Sequence, residues 1–579
     1  MICAVTTAAL AGAVLQLGGA GPATARVGAF SAVAEARKMD AVPAPALDWW
    51  SCYGGADCAA VKVPLDYDRP TGAKVELSLV RVRARDPQRR IGSLFVNPGG
   101  PGGSAAGLAL NAPYVYSADI LDRFDIVGME PRGVGVSQNV ECFDGARQQM
   151  PVLDAYDAYF PTTPAEEAAW TAANRANGKA CTNRGGLALS MSTAEVARDM
   201  ELMRRSVGDS RLSYFGWSYG SYLGQVYANM FPDRFRALAV DGVLDPQRWA
   251  GTRANAGAPL GDRLLAADGA WQALRKILVA CDRAGGARCS FALGDPVANL
   301  DVIAERLKTA PLTETDPFTG ETFTYRYSDL VGDLFSYLYD QAGYAYIIET
   351  LAALQLLTEP PAQQRTAAAR STAVQSLVEV RRQTETLREH PRAGFPYDND
   401  FDAFAAVSCT DSVEGTRAAD YPARAARADG RAPYFGRLVT WNWSSCAADA
   451  FRGNDEDAYR GPFTTRTAAP VLVVGNYWDP ITNYQGAVTS ARLLPNSRLL
   501  SSDSWGHTAY GSSACATQAV DTYLLTGEVA ASYPVCRGDL QPFESDPFEV
   551  ESVQHQQAQL RQRLAQPLEA SSGRSPALR

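Results

Sequence analysis

Leu212-Ser213-Tyr214-Phe215-Gly216-Trp217-Ser218-Tyr219-Gly220-Ser221-Tyr222 reads as a short apolar strand, a Gly-x-Ser-x-Gly turn, and the start of a helix that runs to Met230 and stops at Pro232. A serine at such a sharp strand-to-helix turn sits on strained backbone and needs small neighbours, because the helix must pack close to the sheet. Gly220, Ser221 and Gly224 supply that closeness. In isolation three matching positions mean little; with the strand before and the helix after, Ser218 reads as a nucleophile rather than as an inert turn serine.

Outward from this turn, strands and helices alternate. Val75 to Val82, Gly92 to Val96, Phe124 to Gly128, Leu212 to Phe215 and Ala237 to Val240 are strand-like, and Thr193 to Val207 and Tyr222 to Met230 are helical. Short apolar strands alternating with amphipathic helices imply an α/β fold whose mostly parallel sheet is covered on both faces. From Trp249 to Arg466 the pattern turns helical, clearest at Trp271 to Ala284, Val297 to Lys308, Tyr337 to Leu357 and Ala367 to Glu389, and strand-type runs return only at Val471 to Val474 and Arg498 to Ser501. The expected organisation is a lead-in at 26–48, a first core segment at 49–248, a helical cap at 249–466, a second core segment at 467–543 and a polar, Gln-rich, disordered tail at 544–579. At 579 residues the chain exceeds what one core fills, so a large insertion agrees with its length.

A serine hydroxyl needs a base, and the sequence has only three histidines. His390 precedes a proline in the cap and His555 lies in the tail. His507, in Ser504-Trp505-Gly506-His507-Thr508, stands just past the last expected strand. An imidazole base needs a carboxylate to fix its tautomer, and chain order should run Ser, Asp, His. Asp479 follows the strand at Val471 to Val474 and is favoured; Asp241 and Asp245 after the earlier strand also satisfy the order. Asn97-Pro98-Gly99-Gly100-Pro101-Gly102-Gly103-Ser104 lacks the lysine of a phosphate loop, and its glycines suit an oxyanion hole built from the Gly100 and Tyr219 N–H groups.

Residues 1 to 25 carry no charge and end in Ala23-Thr24-Ala25, the small-x-small pattern of a secretory signal segment. The basic start of such a signal is missing, which implies a translation start further upstream. No other window is apolar enough to span a membrane. Beyond Cys3, ten cysteines remain: Cys52, Cys58, Cys142, Cys181, Cys281, Cys289, Cys409, Cys446, Cys515 and Cys536. An even count in an exported chain implies disulfides, and the short spacings suggest five sequential pairs, although spacing does not determine connectivity. With no C-x-x-C, no H-E-x-x-H and so little histidine, neither a metal nor a cofactor is expected. The net charge of −9 and the absence of basic blocks argue against a nucleic-acid partner.

Several motifs together resemble those of the secreted bacterial tripeptidyl aminopeptidases, α/β-hydrolases related to prolyl aminopeptidases, over about Trp49 to Cys536. They are Asn97-Pro98-Gly99-Gly100-Pro101-Gly102-Gly103, Glu130-Pro131-Arg132-Gly133-Val134-Gly135-Val136-Ser137, the elbow at Ser218, Val407-Ser408-Cys409-Thr410-Asp411, and Asp521-Thr522-Tyr523-Leu524-Leu525-Thr526-Gly527. Asp479 and His507 fall on the family's triad positions. Glu130 stands where the family pattern has Asp, and the tail beyond Cys536 has no counterpart in that pattern. The resemblance implies an α/β-hydrolase fold, an extracellular location, and a peptide substrate with a free N-terminus. The α-ammonium of a tripeptide unit would lie about 10 Å from the scissile carbonyl. Asp411 and Glu414, with Glu130 third, are the acids considered for binding it. A carboxylesterase or lipase using the same triad is the alternative. Epoxide or haloalkane chemistry needs a carboxylate where Ser218 stands.

Overall fold

The computed structural model describes residues 30–360, 366–385, 397, 399–453 and 455–544. The signal segment, His390, His555 and the tail past Glu544 lie outside the described residues. The strands are β1 (Trp50–Cys52), β2 (Ala56–Pro64), β3 (Lys74–Val82), β4 (Gly92–Asn97), β5 (Phe124–Met129), β6 (Leu212–Trp217), β7 (Phe235–Asp241), β8 (Leu312–Thr315), β9 (Thr322–Tyr325), β10 (Val471–Trp478), β11 (Ser497–Trp505) and β12 (Cys536–Arg537). All but the β8–β9 hairpin join a ten-stranded sheet in the order β1-β2-β3-β5-β4-β6-β7-β10-β11-β12. The β1–β2, β2–β3 and β3–β5 pairs are antiparallel and the rest are parallel. β4 and β5 are buried at every position, as strands covered on both faces must be.

This order places β4, β6, β7, β10 and β11 side by side, so five adjacent strands deliver the 97–103 loop, Ser218, Asp241, Asp479 and His507 to one edge of the sheet. Ligands of open α/β sheets bind at the carboxyl ends of the strands. Register brings these ends level, with Asn97 opposite Gly216 and Asp241 opposite both Trp217 and Val474.

Between β7 and β10 the chain forms helices, with the β8–β9 hairpin as an exception to the helical reading. The helix expected over Tyr337 to Leu357 begins at Gly343, and the preceding helix, Tyr327–Tyr337, ends where it was expected to start. A Cβ on Gly343 would lie 1.8 Å from the Tyr337 carbonyl, so the chain turns there only on glycine. Residues 146–184, grouped with the core by sequence, form the helices Ala146–Ala155 and Pro164–Arg184 and pack with the cap. Asn174 Nδ2 donates to Ser444 Oγ at 2.6 Å, and Arg175 pairs with Asp449 at 3.0 Å.

The lead-in also differs from a plain linker. Ser31 caps an Ala32–Ala41 helix, and Glu35 on it meets Arg198 Nε at 2.7 Å. That arginine belongs to the Thr193–Ser206 helix, which is buried through Arg204 although it carries several charges. Its charges are neutralised internally: Arg132 is fully buried, grips Asp199 through Nε and Nη2 at 2.8 and 2.7 Å, and meets Glu195 at 3.0 Å. Removing one partner from such a buried group costs about 3–5 kcal/mol, because the other charge is stranded.

The ten cysteines pair in chain order: Cys52–Cys58, Cys142–Cys181, Cys281–Cys289, Cys409–Cys446 and Cys515–Cys536. Among the described residues no helix is long and apolar enough to cross a membrane.

Candidate active site

Ser218 stands between β6 and the Tyr219–Met230 helix with φ 55° and ψ −125°. A non-glycine residue adopts this conformation only when its surroundings enforce it. Two contacts do so here. The Ser218 N–H donates to the Asp241 carbonyl at 3.0 Å, and the Ser218 carbonyl accepts from Ser221 N–H at 2.8 Å.

The glycine-rich loop after β4 lies directly against this turn. A Cβ on Gly99, whose φ is +101°, would stand 2.6 Å from Trp217 O, 2.7 Å from Ser218 Cβ and 2.8 Å from Tyr219 N, so only glycine fits. Asn97 Oδ1 accepts Gly99 N–H at 2.9 Å, and Gly103 N–H closes the loop onto Gly99 O at 3.0 Å. Among the described residues, neither the Gly100 nor the Tyr219 N–H is donated to another protein group. An oxyanion site needs backbone N–H groups left without a protein acceptor.

His507 Nδ1 lies 2.8 Å from Asp479 Oδ2. The same oxygen accepts Thr508 N–H at 3.2 Å, while Oδ1 accepts the N–H groups of Ile481 at 3.0 Å and Thr482 at 2.8 Å. Burial alone would raise the Asp479 carboxyl, but the charge and hydrogen bond of His507, with the Thr482 donors, hold it below its ordinary value. Bound through Nδ1, the imidazole keeps Nε2 for other chemistry. Its Cε1 lies 2.9 Å from where a Gly242 Cβ would be, directly after the residue whose carbonyl holds Ser218. Ser218 and His507 therefore both neighbour the Asp241–Gly242 turn at the end of β7.

Three parts of the cap close on these loops. His507 N–H donates to Tyr339 O at 2.9 Å, and the Tyr339 ring meets the imidazole edge-on at 5.3 Å between centroids. A Cβ on Gly269 would reach 2.8 Å from Asp479 O, and Gly102 faces Ala403 and Phe404. Tyr339 escaped the sequence reading because the stretch around it looked like continuous helix; Gly343 was the signal that it is a bend.

Of the three acids considered for an amine, two hold the fold through both carboxylate oxygens and the third through one. Asp411 is buried and accepts Thr193 N–H at 2.7 Å, Thr193 Oγ1–H at 2.6 Å and Trp249 Nε1–H at 3.0 Å; Thr193 Oγ1 also bonds the Tyr219 hydroxyl. It therefore braces the elbow from behind and presents no free oxygen. Glu130, with no exposed surface, accepts Ala106 N–H at 2.9 Å and Val136 N–H at 3.4 Å, linking the helix after the glycine loop to the 130–137 turn. Burial pushes its carboxyl up to about 7, against these donors. Glu414 Oε1 accepts Gly415 and Thr416 N–H, each at 3.2 Å, while Oε2 accepts no hydrogen bond and stands 3.8 Å from Arg263 Nη1. Asp245, a rival for the triad acid, caps the Pro246–Ala250 helix instead, accepting Gln247 and Arg248 N–H.

Among the described residues, two groups of Cys and Asp side chains bring possible ligand atoms close together. One contains Cys142 and Cys181, which are already disulfide-bonded; in the other, Arg69 pairs with Asp66, Lys38 with Asp68 and Arg198 with Asp457.

Comparison with known proteins agrees with this geometry. Residues 92–277 match the model of the alpha/beta hydrolase fold, and residues 432–536 match that of the TAP-like proteins. Carboxylesterase B of Mycobacterium tuberculosis is 30% identical over 506 residues, covering 84% of this chain and 89% of that protein. The chain belongs to the TAP-like α/β-hydrolases. Tripeptidyl aminopeptidase of Streptomyces lividans is 28% identical over 531 residues, covering 87% of this chain and 88% of its own. Serine protease Hip1 of M. tuberculosis is 28% identical over 497 residues, with 83% and 88% covered. As a TAP-like α/β-hydrolase, this protein is a serine hydrolase.

Proposed function

We propose that the protein is a secreted serine exopeptidase that releases tripeptides, or other short peptides, from free N-termini through an acyl-enzyme on Ser218. The observation that carries this reading is the Asp479–His507 pair, with His507 and the strained Ser218 turn both set against Asp241–Gly242 and the cap packed on the glycine, Asp479 and His507 loops. His507 Nε2 takes the Ser218 proton as Oγ attacks the scissile carbonyl, and the new oxyanion receives the Gly100 and Tyr219 N–H groups. The imidazolium, stabilised by Asp479, then protonates the leaving amine. Water repeats the sequence and frees the acyl peptide.

An exopeptidase must stop the chain behind the substrate's amine, and the cap is the part of the molecule able to do so. Glu414 is our choice for the amine, since it alone of the three acids keeps an oxygen without a hydrogen bond. Five disulfides and the signal-like N-terminal stretch support export. An esterase is the second reading, favoured by the resemblance to carboxylesterase B. Peptidyl anilides with free and acetylated N-termini separate the two. The exopeptidase reading requires the free substrate to be cleaved at least about 100-fold faster, as loss of a buried charge pair implies. Equal rates would discard it.

A further inference from the structure

Asp241, like Asp245, satisfies the chain order of a triad without being the histidine's partner. We infer that Asp241 is a positioning residue, which sets the nucleophile elbow and the histidine loop in register by holding Ser218 through its main chain and the segment after His507 through its carboxylate. The inference rests on Ser218 and His507 performing the chemistry, and not on the identity of the substrate.

The geometry is specific. Asp241 ends β7, between β6 and β10, opposite Trp217 on one side and Val474 on the other. Its carbonyl accepts the Ser218 N–H at 3.0 Å. Its carboxylate, with no exposed surface, accepts Gly242 N–H at 2.7 Å, Ala509 N–H at 3.0 Å and Tyr510 N–H at 2.8 Å. Asp479 accepts the preceding amide, Thr508 N–H, so two acids share three consecutive donors directly after His507. This stretch needs such a hold, because Thr508 has φ 73° without being glycine. A loop bent in this way relaxes if its amides lose their acceptors, and the imidazole moves with it.

Protonation should act on the same hold. Burial pushes the Asp241 carboxyl up to about 6 against its three N–H donors, and the charge of Asp479 pushes the same way. The groups facing it are the Gly242, Ala509 and Tyr510 amides, the Asp479 carboxylate and, across Gly242, the His507 imidazole. A protonated Asp241 turns a donor toward amides that need an acceptor. The acid limb of the reaction should therefore contain one protonation more than it does in a chain without the Asp241 carboxyl.

The test uses the full chain with a fluorophosphonate probe, which reports on Ser218 whatever the natural substrate. In D241N one acceptor becomes a donor, and in D241A both are lost. For both we expect labelling and kcat to fall about 10- to 100-fold, the effect of leaving one or two buried amides unpaired, with KM on a peptidyl anilide moving less than about threefold. The wild-type acid limb should steepen toward two protons and become a one-proton limb in D241N. A folded D241N that labels within twofold of wild type overturns the inference. If neither variant folds, the wild-type profile decides, and a one-proton acid limb overturns it. Failure of wild-type Ser218 to label would remove the catalytic reading itself, and the inference with it.

Discussion

Asp479→Asn is the substitution whose consequence follows most directly from the hydrogen bonds. Asp479 accepts four N–H donors, His507 Nδ1 and Thr508 N on one oxygen, Ile481 N and Thr482 N on the other. An asparagine offers one accepting oxygen and one NH2 group. If its oxygen faces the two loop amides, its NH2 faces Nδ1, which must then become an acceptor, and the ring proton moves to Nε2. An imidazole protonated there cannot take the Ser218 proton. The loss expected from a wrong tautomer is about 10⁴-fold in kcat, or about 5.5 kcal/mol of transition-state stabilisation. If the side chain flips instead, the two loop amides lose their acceptor, and the penalty appears as a lower Tm. The assay is steady-state kinetics on a free-N-terminal peptidyl anilide beside fluorophosphonate labelling, with Tm measured in parallel. KM should stay within a few-fold. A fall below about tenfold in a folded D479N, or a larger loss in D241N than in D479N, would refute the assignment of Asp479 as the histidine's partner.

Other substitutions probe the surrounding framework. Gly99→Ala drives a Cβ to 2.6 Å from Trp217 O and 2.7 Å from Ser218 Cβ, so the glycine loop must retreat; kcat should fall by about 100-fold or more, and an active G99A would mean that this loop does not form the oxyanion site. Replacing Cys409 and Cys446 by serine opens a link across 37 residues, for which chain entropy implies about 4 kcal/mol of lost stability, read by denaturant titration. Glu130→Gln tests a buried acid. Burial pushes Glu130 up to about 7, so the wild-type fold favours the protonated acid and loses that advantage as pH rises from about 4.5 to about 7. E130Q cannot ionise, so its unfolding free energy, read by denaturant titration, should gain on wild type between about pH 5 and pH 8 by up to about 3 kcal/mol, and a gap that narrows with pH would contradict the burial argument.

Much of this architecture is legible in the chain. The central parallel strands β4, β5, β6 and β7 are buried almost throughout, so they read as short apolar runs, and the turn at Ser218 announces itself because strained backbone demands small residues around it. His507 was legible by scarcity, as one of three histidines and the one placed after a late strand. Other features were not. The β8–β9 hairpin lies largely exposed, with little apolar alternation to mark it. The Pro164–Arg184 helix could be seen as a helix, but its membership of the cap depends on tertiary partners such as Ser444 and Asp449. The carboxylates proved hardest. Asp411 and Glu130 look like available acids in sequence, yet both are buried braces whose oxygens are taken by backbone and side-chain donors of the fold, and Asp241 resembles a triad acid while it holds the loop beyond the histidine. Which donors a carboxylate meets is decided by folding, and no spacing encodes it.

The claim at the centre of this account is that the cap turns an ordinary serine-hydrolase site into one that counts from a free N-terminus. Product masses from one peptide of known sequence, digested with its N-terminus free and again with it acetylated, test that claim directly. The account predicts successive short N-terminal fragments, tripeptides first, from the free peptide and no cleavage of the acetylated one, with both activities absent in Ser218→Ala. Cleavage of both peptides at the same internal bonds would contradict it.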